Sequence, residues 1–225
     1  MNLKKIILLI LILSVSSAHS QSYLFKVKYG VVQAGTAKLV HSIEEGVLTS
    51  YLNIESSPWL SNLWTLSDSI SSIYDVESGT LTNHIKAIHE GSYHRNYQVE
   101  FLDSNNVSVN GKNKVLATTG IRDIPSLLYD LSKTKFQHGD TLHYRLWDGR
   151  GSGMLSLAVE RSGGRSLFKP FSPTGWQLTP LGSTKKSREN RIKLAMMFSE
   201  SHPHIPLRIE IGTKYGNVVM RIVEP

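Results

Sequence analysis

Apolar and polar residues alternate with a period of two through most of the chain, the pattern of strands that bury one face. Tyr23, Phe25, Val27 and Tyr29 alternate with Leu24, Lys26 and Lys28. Tyr93, Arg95, Tyr97, Val99 and Phe101 share one face, with His94, Asn96, Gln98 and Glu100 on the other. Leu142, Tyr144 and Leu146 oppose Thr141, His143 and Arg145, and Ile192, Leu194, Met196 and Phe198 form an apolar stripe opposite Arg191 and Lys193. The last two strands are expected over 207–211 and 218–223.

Turn residues punctuate these runs. Asn110-Gly111 suits the positive φ angles of a tight hairpin, and Gly30, Glu45-Gly46, Ser78-Gly79 and Gly163-Gly164 mark other reversals. Strands joined by short turns pair antiparallel, and about a dozen of them are too many for a small open sheet that does not curl. Two segments have helical spacing instead. Ser57-Pro58 precedes Trp59, Leu60, Leu63 and Trp64, and Asp123-Ile124-Pro125 precedes Leu127, Leu128 and Leu131. Each has a capping residue and a proline suited to a first helical turn, and each is expected to pack on the sheet as a lid or plug. The predicted fold is mainly β: a strongly curved antiparallel sheet or partly open β-barrel with one or two short helices, forming a single domain over 21–225.

The N-terminus departs from this pattern. Lys4 and Lys5 precede an apolar run from Ile6 to Leu13, and Ala18-His19-Ser20 places small residues before a cut, so residues 1–20 are expected to be a cleaved export signal. The run is too short for a membrane span, which needs about 20 residues, and no integral span is expected. The chain has no Cys, which excludes a lipid-anchored lipoprotein, thiol catalysis, iron–sulfur clusters and Cys-based zinc sites. The expected location is the periplasm.

Charge adds one feature. Residues 21–139 carry 10 Lys/Arg against 11 Asp/Glu, and residues 140–225 carry 13 against 7. The excess is densest at Lys185, Lys186, Arg188, Arg191 and Lys193. Outside the cytoplasm nucleic acid is not an expected partner. An anionic envelope surface is the expectation for a functional contact at these five residues, and a solvated strand-and-turn edge is the alternative.

Catalytic templates find little purchase. His89-Glu90 is followed by a histidine at position 94, five residues on, whereas the helical metalloprotease pattern needs four. His84, His89 and His94 are spaced by five, which alternates their faces along a strand unless the turn at Gly91 restores proximity, and all three are expected at the surface. His202-Pro203-His204 is read as a loop. Gly149-Arg150-Gly151-Ser152-Gly153 lacks the endings of a phosphate loop or a nucleophile elbow and is read as a hairpin connection. Trp59, Trp64, Trp147 and Trp176 are expected in core packing. No catalytic residue, cofactor or metal ligand is assigned.

The order of several short motifs resembles a known family. Tyr29-Gly30 with Ala34-Gly35-Thr36-Ala37, Gly79-Thr80-Leu81, Glu90-Gly91-Ser92-Tyr93, Asp123 to Tyr129, Trp147-Asp148-Gly149 and Pro206-Leu207-Arg208-Ile209-Glu210 are similar, in sequence order, to the motifs of an uncharacterised bacterial periplasmic family catalogued as domain of unknown function 3108. At Pro173-Thr174-Gly175-Trp176 the chain departs from that family's usual turn. The resemblance implies a Gram-negative envelope protein with a curved, incompletely closed β-barrel, and carries no catalytic residues with it.

The expected function is a periplasmic, non-enzymatic binding or carrier module for an apolar or amphipathic envelope component, with lipid, lipoprotein or envelope polymer as partner. Two alternatives stand beside it. A structural or assembly factor would bind another envelope protein through an exposed strand edge, and a polysaccharide hydrolase or lyase would need facing carboxylates in a polar cleft. Amino-terminal sequencing of the exported protein is expected to begin at Gln21; an intact Met1 in a membrane fraction would overturn the cleavage.

Overall fold

The computed structural model describes residues 19–62, 65–149, 151–162, 175–181, 193–213 and 216–224. Fifteen strands form one sheet, three more than the turn signals suggest. They are β1 (His19–Tyr29), β2 (Val32–Glu44), β3 (Val47–Ser56), β4 (Ser67–Asp75), β5 (Thr80–Glu90), β6 (Tyr93–Phe101), β7 (Asn106–Val109), β8 (Lys112–Val115), β9 (Ile121–Arg122), β10 (Thr141–Trp147), β11 (Ser152–Ser162), β12 (Gly175–Pro180), β13 (Lys193–Ser199), β14 (Pro206–Thr213) and β15 (Gly216–Glu224). Their spatial order is β8 through β1, then β15 through β9. Every pairing is antiparallel except β9 with β10.

This order makes the sheet roll. β8 and β9 are the two ends of the sheet, yet only residues 116–120 join them. Laid flat, fifteen strands would hold those ends roughly 65–70 Å apart, whereas the connection reaches about 20 Å. Extra residues on β2, β5 and β14, at Ala34, Thr82 and Leu207, shift the register and supply local bends.

The roll passes beyond closure. On β10, Leu142, Tyr144 and Leu146 face the main core, so Trp147 points to the outer side. Even so it is buried, edge-on to Phe101 of β6 at 5.5 Å and clustered with Val99, Val107, Val109 and Ile121. The inner face of β5 to β7 therefore covers the outer face of β9 and β10. Side chain-to-backbone hydrogen bonds fasten the overlap: Arg122 donates to the Gly79 carbonyl at 2.7 Å, Arg145 to Ala117 at 3.0 Å and Lys86 to Asp148 at 3.3 Å.

We call the rim where β1 ends and β2 begins the upper rim, and the opposite one the lower. A short helix, α1 (Pro58–Ser61), crosses the upper rim, and a longer one, α2 (Ile124–Lys133), runs inside the roll. α2 fulfils its expectation as a plug. Pro125 to Tyr129, Leu131 and Ser132 are all buried, as in a helix surrounded by protein. α1 does not pack as a lid, because none of its residues is buried and Trp59 is 53% exposed. Leu63 and Trp64 lie outside the described residues, as do residues 1–18. Among the described residues no helix is long and apolar enough to cross a membrane.

Two close approaches depend on glycine. A Cβ on Gly35 of β2 would stand 1.8 Å from the Glu55 carbonyl oxygen of β3, and one on Gly175 of β12 would stand 2.0 Å from the Phe198 carbonyl oxygen of β13. Gly35→Ala is expected to destabilise by about 1–3 kcal/mol through overpacking against backbone. Gly153→Ala on β11, which meets nothing within 4 Å, should leave the thermal midpoint nearly unchanged. Parallel melting curves decide between these outcomes.

Candidate functional site

The inner face of the sheet carries a row of buried polar residues where the alternation alone calls for apolar ones. His41 on β2, Ser50 on β3, Ser72 on β4 and His84 on β5 are successive cross-strand partners, and all four are buried. The row divides two apolar clusters. Along β3 it separates Leu48 from Leu52, and along β4 it separates Tyr74 from Ile70. A register shift opposite Ile73 and Tyr74 leaves Thr82 as the extra residue of β5, so that Leu81 and His84, three apart, both point inward.

α2 completes the row. Asp123 is its N-cap, receiving hydrogen bonds from the Ser126 backbone N–H at 3.0 Å and the Ser126 hydroxyl at 2.7 Å. Its second carboxylate oxygen accepts from His84 Nδ1 at 2.9 Å, with both side chains about 1% exposed. Burial acts to raise the Asp123 pKa, but the His84 and Ser126 contacts outweigh it and hold the carboxyl below its usual range. At the other end of the row His41 Nδ1 and Ser50 Oγ are hydrogen-bonded at 2.8 Å. Burial lowers the His41 pKa to about 4, against a smaller opposing pull from Asp123. Two atoms of the row, Ser72 Oγ and His84 Nε2, are buried with no hydrogen-bond partner.

Above His84 the inner face of β5 and β6 remains polar up to the upper rim. Lys86 pairs across the strands with Tyr97, Ile88 with Arg95 and Glu90 with Tyr93. Arg95 donates to the Tyr97 hydroxyl at 3.3 Å and lies 5.7 Å from the Tyr93 ring centre. Asp68 at the start of β4 and Glu90 at the end of β5 are neighbours on this face. Burial raises both pKa values, and Asp68 raises that of Glu90 further. The overlap closes over the inner end of this strip at Gly149. A Cβ there would stand 3.3 Å from Lys86 Cδ, 3.7 Å from Tyr97 Cδ2 and 3.9 Å from His84 Nε2, and its φ of +100° already favours glycine.

Burial is complete on both sides of the row: Leu48, Tyr74 and Leu81 are enclosed below it, and Leu52, Leu39, Ala37, Phe25 and Val27 above it. Half-buried apolar side chains occur farther towards the upper rim, at Ile54, Ile70 and Ile88 on β3 to β5 and at Ile211 and Val218 on β14 and β15. α2 begins at the row and ends at the lower rim, where the Ser132 carbonyl accepts from the His204 backbone N–H at 2.8 Å. Its Leu127, Leu128 and Leu131 belong to the same buried apolar cluster as Phe25, Val27, Ala37, Leu39 and Leu52.

Several expectations need correction. His84 is not a surface histidine, because the register shift turns it inward. His89 and His94 are exposed, and the turn at Gly91 does bring them together, with ring centres 4.8 Å apart. Among the described residues no group of three metal-ligating side chains forms. His202-Pro203-His204 is a loop, but His204 is buried in it and stacks on Phe136 at 4.6 Å. Gly149 to Gly153 does form the β10–β11 connection and the start of β11. Lys185, Lys186, Arg188 and Arg191 lie outside the described residues; Lys193 opens β13, with its side chain undescribed.

With the geometry established, kinship can be read. The model of a protein family of unknown function, DUF3108, matches residues 24–223. The chain belongs to the DUF3108 family. A crystal structure of a β-barrel-like protein of the DUF1849 family from Brucella abortus is similar in fold, with a TM-score of 0.55 at 9% identity, covering 90% of this chain and 95% of that one. A DUF1089 family protein from Pseudomonas aeruginosa covers 94% of this chain and 91% of its own at 10% identity, with a TM-score of 0.27. No curated protein matches. The mainly β, partly open barrel of this DUF3108 chain thus has a solved counterpart in a second family of unknown function.

The buried row gives the fold an acid-sensitive element. Neutral His41 is the form the fold accepts. As pH falls below the ordinary histidine value of 6.5, the unfolded chain takes up a proton that the folded one refuses until about 4. Stability is therefore expected to fall through this window by on the order of 3 kcal/mol. Asp123 adds to the loss at lower pH, because its depressed pKa stabilises the fold only while the carboxyl is ionised. Denaturant titrations of wild type and His41→Gln between pH 7 and pH 4.5 test this. The variant should start less stable and lose less on acidification.

Proposed function

We propose that this DUF3108 protein is a periplasmic, non-enzymatic binding or carrier module for an amphipathic envelope component. The observation that carries this reading is a margin of half-buried apolar side chains between the enclosed core and the upper rim. Ile54, Ile70, Ile88, Ile211 and Val218 form it, beside a polar strip of Lys86, Arg95, Asp68 and Glu90. An aliphatic belt next to fixed charges suits a ligand with an apolar body and a polar head. The expected export signal supports a periplasmic setting.

The two alternatives receive less support. The strand edge at β8 is four residues long and carries Lys112 and Lys114, the arrangement that discourages pairing with another chain. The Asp68–Glu90 pair is the feature that favours an enzyme. Its two residues stand on adjacent, paired strands, side by side on one face rather than opposed across a cleft as glycosidase carboxyls are.

Native mass spectrometry of protein purified from the periplasm tests the reading. Wild type is expected to carry a co-purified amphiphile, and Ile70→Asp, with a new charge in the half-buried belt, is expected to lose it while retaining its strand spectrum by circular dichroism. Protein that emerges free of any small molecule, and takes up no fluorescent acyl probe, would overturn the carrier assignment.

A further inference from the structure

Of the chain's 9 histidines, most are engaged through a ring nitrogen. His41 is bonded to Ser50, His84 to Asp123, His138 to the Arg161 N–H, His143 to Ser156, His202 to the Lys133 carbonyl and His204 to the Ser199 carbonyl. His89 and His94 differ. Among the described residues no hydrogen bond reaches either ring, yet the two are exposed partners across β5 and β6 with ring centres 4.8 Å apart. His202 and His204 also meet, at 5.6 Å, but each has a ring nitrogen committed to a carbonyl.

The contact follows from the register. His89 lies on the outer face of β5, opposite in direction to Ile88 and Glu90, and the pairing sets it directly across from His94. The two stand past the overlap, because the Gly149 turn reaches only His84, Lys86 and Tyr97 while the hairpin runs on to its turn at Gly91. Asp68 Oδ1 accepts from the His89 backbone N–H at 3.0 Å, which brings a carboxylate close to the pair. Lys86 and Arg95 leave the hairpin on the opposite face. A metal–nitrogen bond of about 2.0–2.1 Å sets two imidazoles on one ion with ring centres roughly 4.5–5.2 Å apart, for bond angles between square and tetrahedral. The observed separation falls inside that range. Neutral imidazole suits Zn2+, Cu2+ and Ni2+, whereas Mg2+ and Ca2+ call for oxygen ligands.

We propose that His89 and His94 form a two-histidine site for a divalent transition-metal ion, with water completing the coordination. Two protein ligands, where structural zinc sites have four, make the ion exchangeable. Once bound, it ties the ends of β5 and β6 together beside their turn. The site belongs to this hairpin alone and is separate from the carrier reading, since either can fail while the other stands.

Isothermal titration of the chain from Gln21 onwards with Zn2+, in a buffer that does not bind metal, tests this, with the histidine ring resonances followed by NMR. Zn2+ uptake is expected to shift the ring resonances of His89 and His94, and Mg2+ should give no response. His89→Gln and His94→Gln are each expected to weaken binding on the order of a hundredfold, because the remaining imidazole loses its intramolecular partner. His143→Gln, at an exposed histidine on β10, should change the affinity by less than about twofold. Both rings of the pair are exposed, so the variants should keep the wild-type circular dichroism spectrum, and the resonances of the wild type read the site without any substitution. Three results would each overturn the proposal: no Zn2+ uptake, uptake that leaves the His89 and His94 resonances in place, or equal losses from His89→Gln and His143→Gln.

Discussion

The five residues between β8 and β9 are the constraint on which the architecture depends. They join the opposite ends of a fifteen-stranded sheet, so the sheet must roll until those ends meet. The connection also stays close to the β6–β7 turn, through hydrogen bonds from the Leu116 N–H to the Asn105 carbonyl and from the Thr118 N–H to that of Ser104. The inner face of β5 to β7 is thereby laid over β9 and β10. Trp147 is buried by that overlap, and the Gly149 turn is pressed against His84, Lys86 and Tyr97. Because α2 follows β9 directly, the same short connection also delivers a helix to the interior.

The depth of that helix is set by charge rather than by apolar packing. Leucines slide past one another at little cost, whereas the Asp123 carboxylate, buried and held by His84 and Ser126, has one acceptable position. Moving α2 by one turn, about 5.4 Å, would leave a buried carboxylate without its histidine, at a cost of several kcal/mol. The row from His41 to His84 thus serves as a register mark between two apolar clusters that would otherwise merge. Its unpartnered atoms, Ser72 Oγ and His84 Nε2, each cost about 1–3 kcal/mol of desolvation, so the row gives up stability while fixing position.

Much of this fold was legible in local pattern. Period-two alternation located most strands, Asn110-Gly111 the β7–β8 hairpin, and Asp123-Ile124-Pro125 the start of α2, because each of these depends on neighbours in sequence. What depends on the roll was not legible. Alternation along β10 puts Trp147 on the polar side, and only a second layer of the same sheet buries it. His84, His89 and His94 are all expected at the surface from sequence, yet the extra residue at Thr82 turns His84 inward. Trp59 had the helical spacing of a packed residue, but α1 is a single turn with none of its residues buried. The candidate site was legible only as scattered polar positions on strand faces, since the register that aligns His41, Ser50, Ser72 and His84 is a property of four strands together.

α2 has ten residues and so spans about 15 Å, running from the polar row to the lower rim. β3, β4 and β5 continue above the row for several more residues. Nearest the row, Leu52 on β3 and Leu39 and Ala37 on β2 are enclosed, in one apolar cluster with Leu127, Leu128 and Leu131 of α2. Farther up, Ile54, Ile70 and Ile88 are β-branched side chains that suit a strand face and are only half-buried. The apolar core therefore does not end at the row but thins towards the upper rim, where its margin meets Lys86, Arg95 and the Asp68–Glu90 pair on the same face.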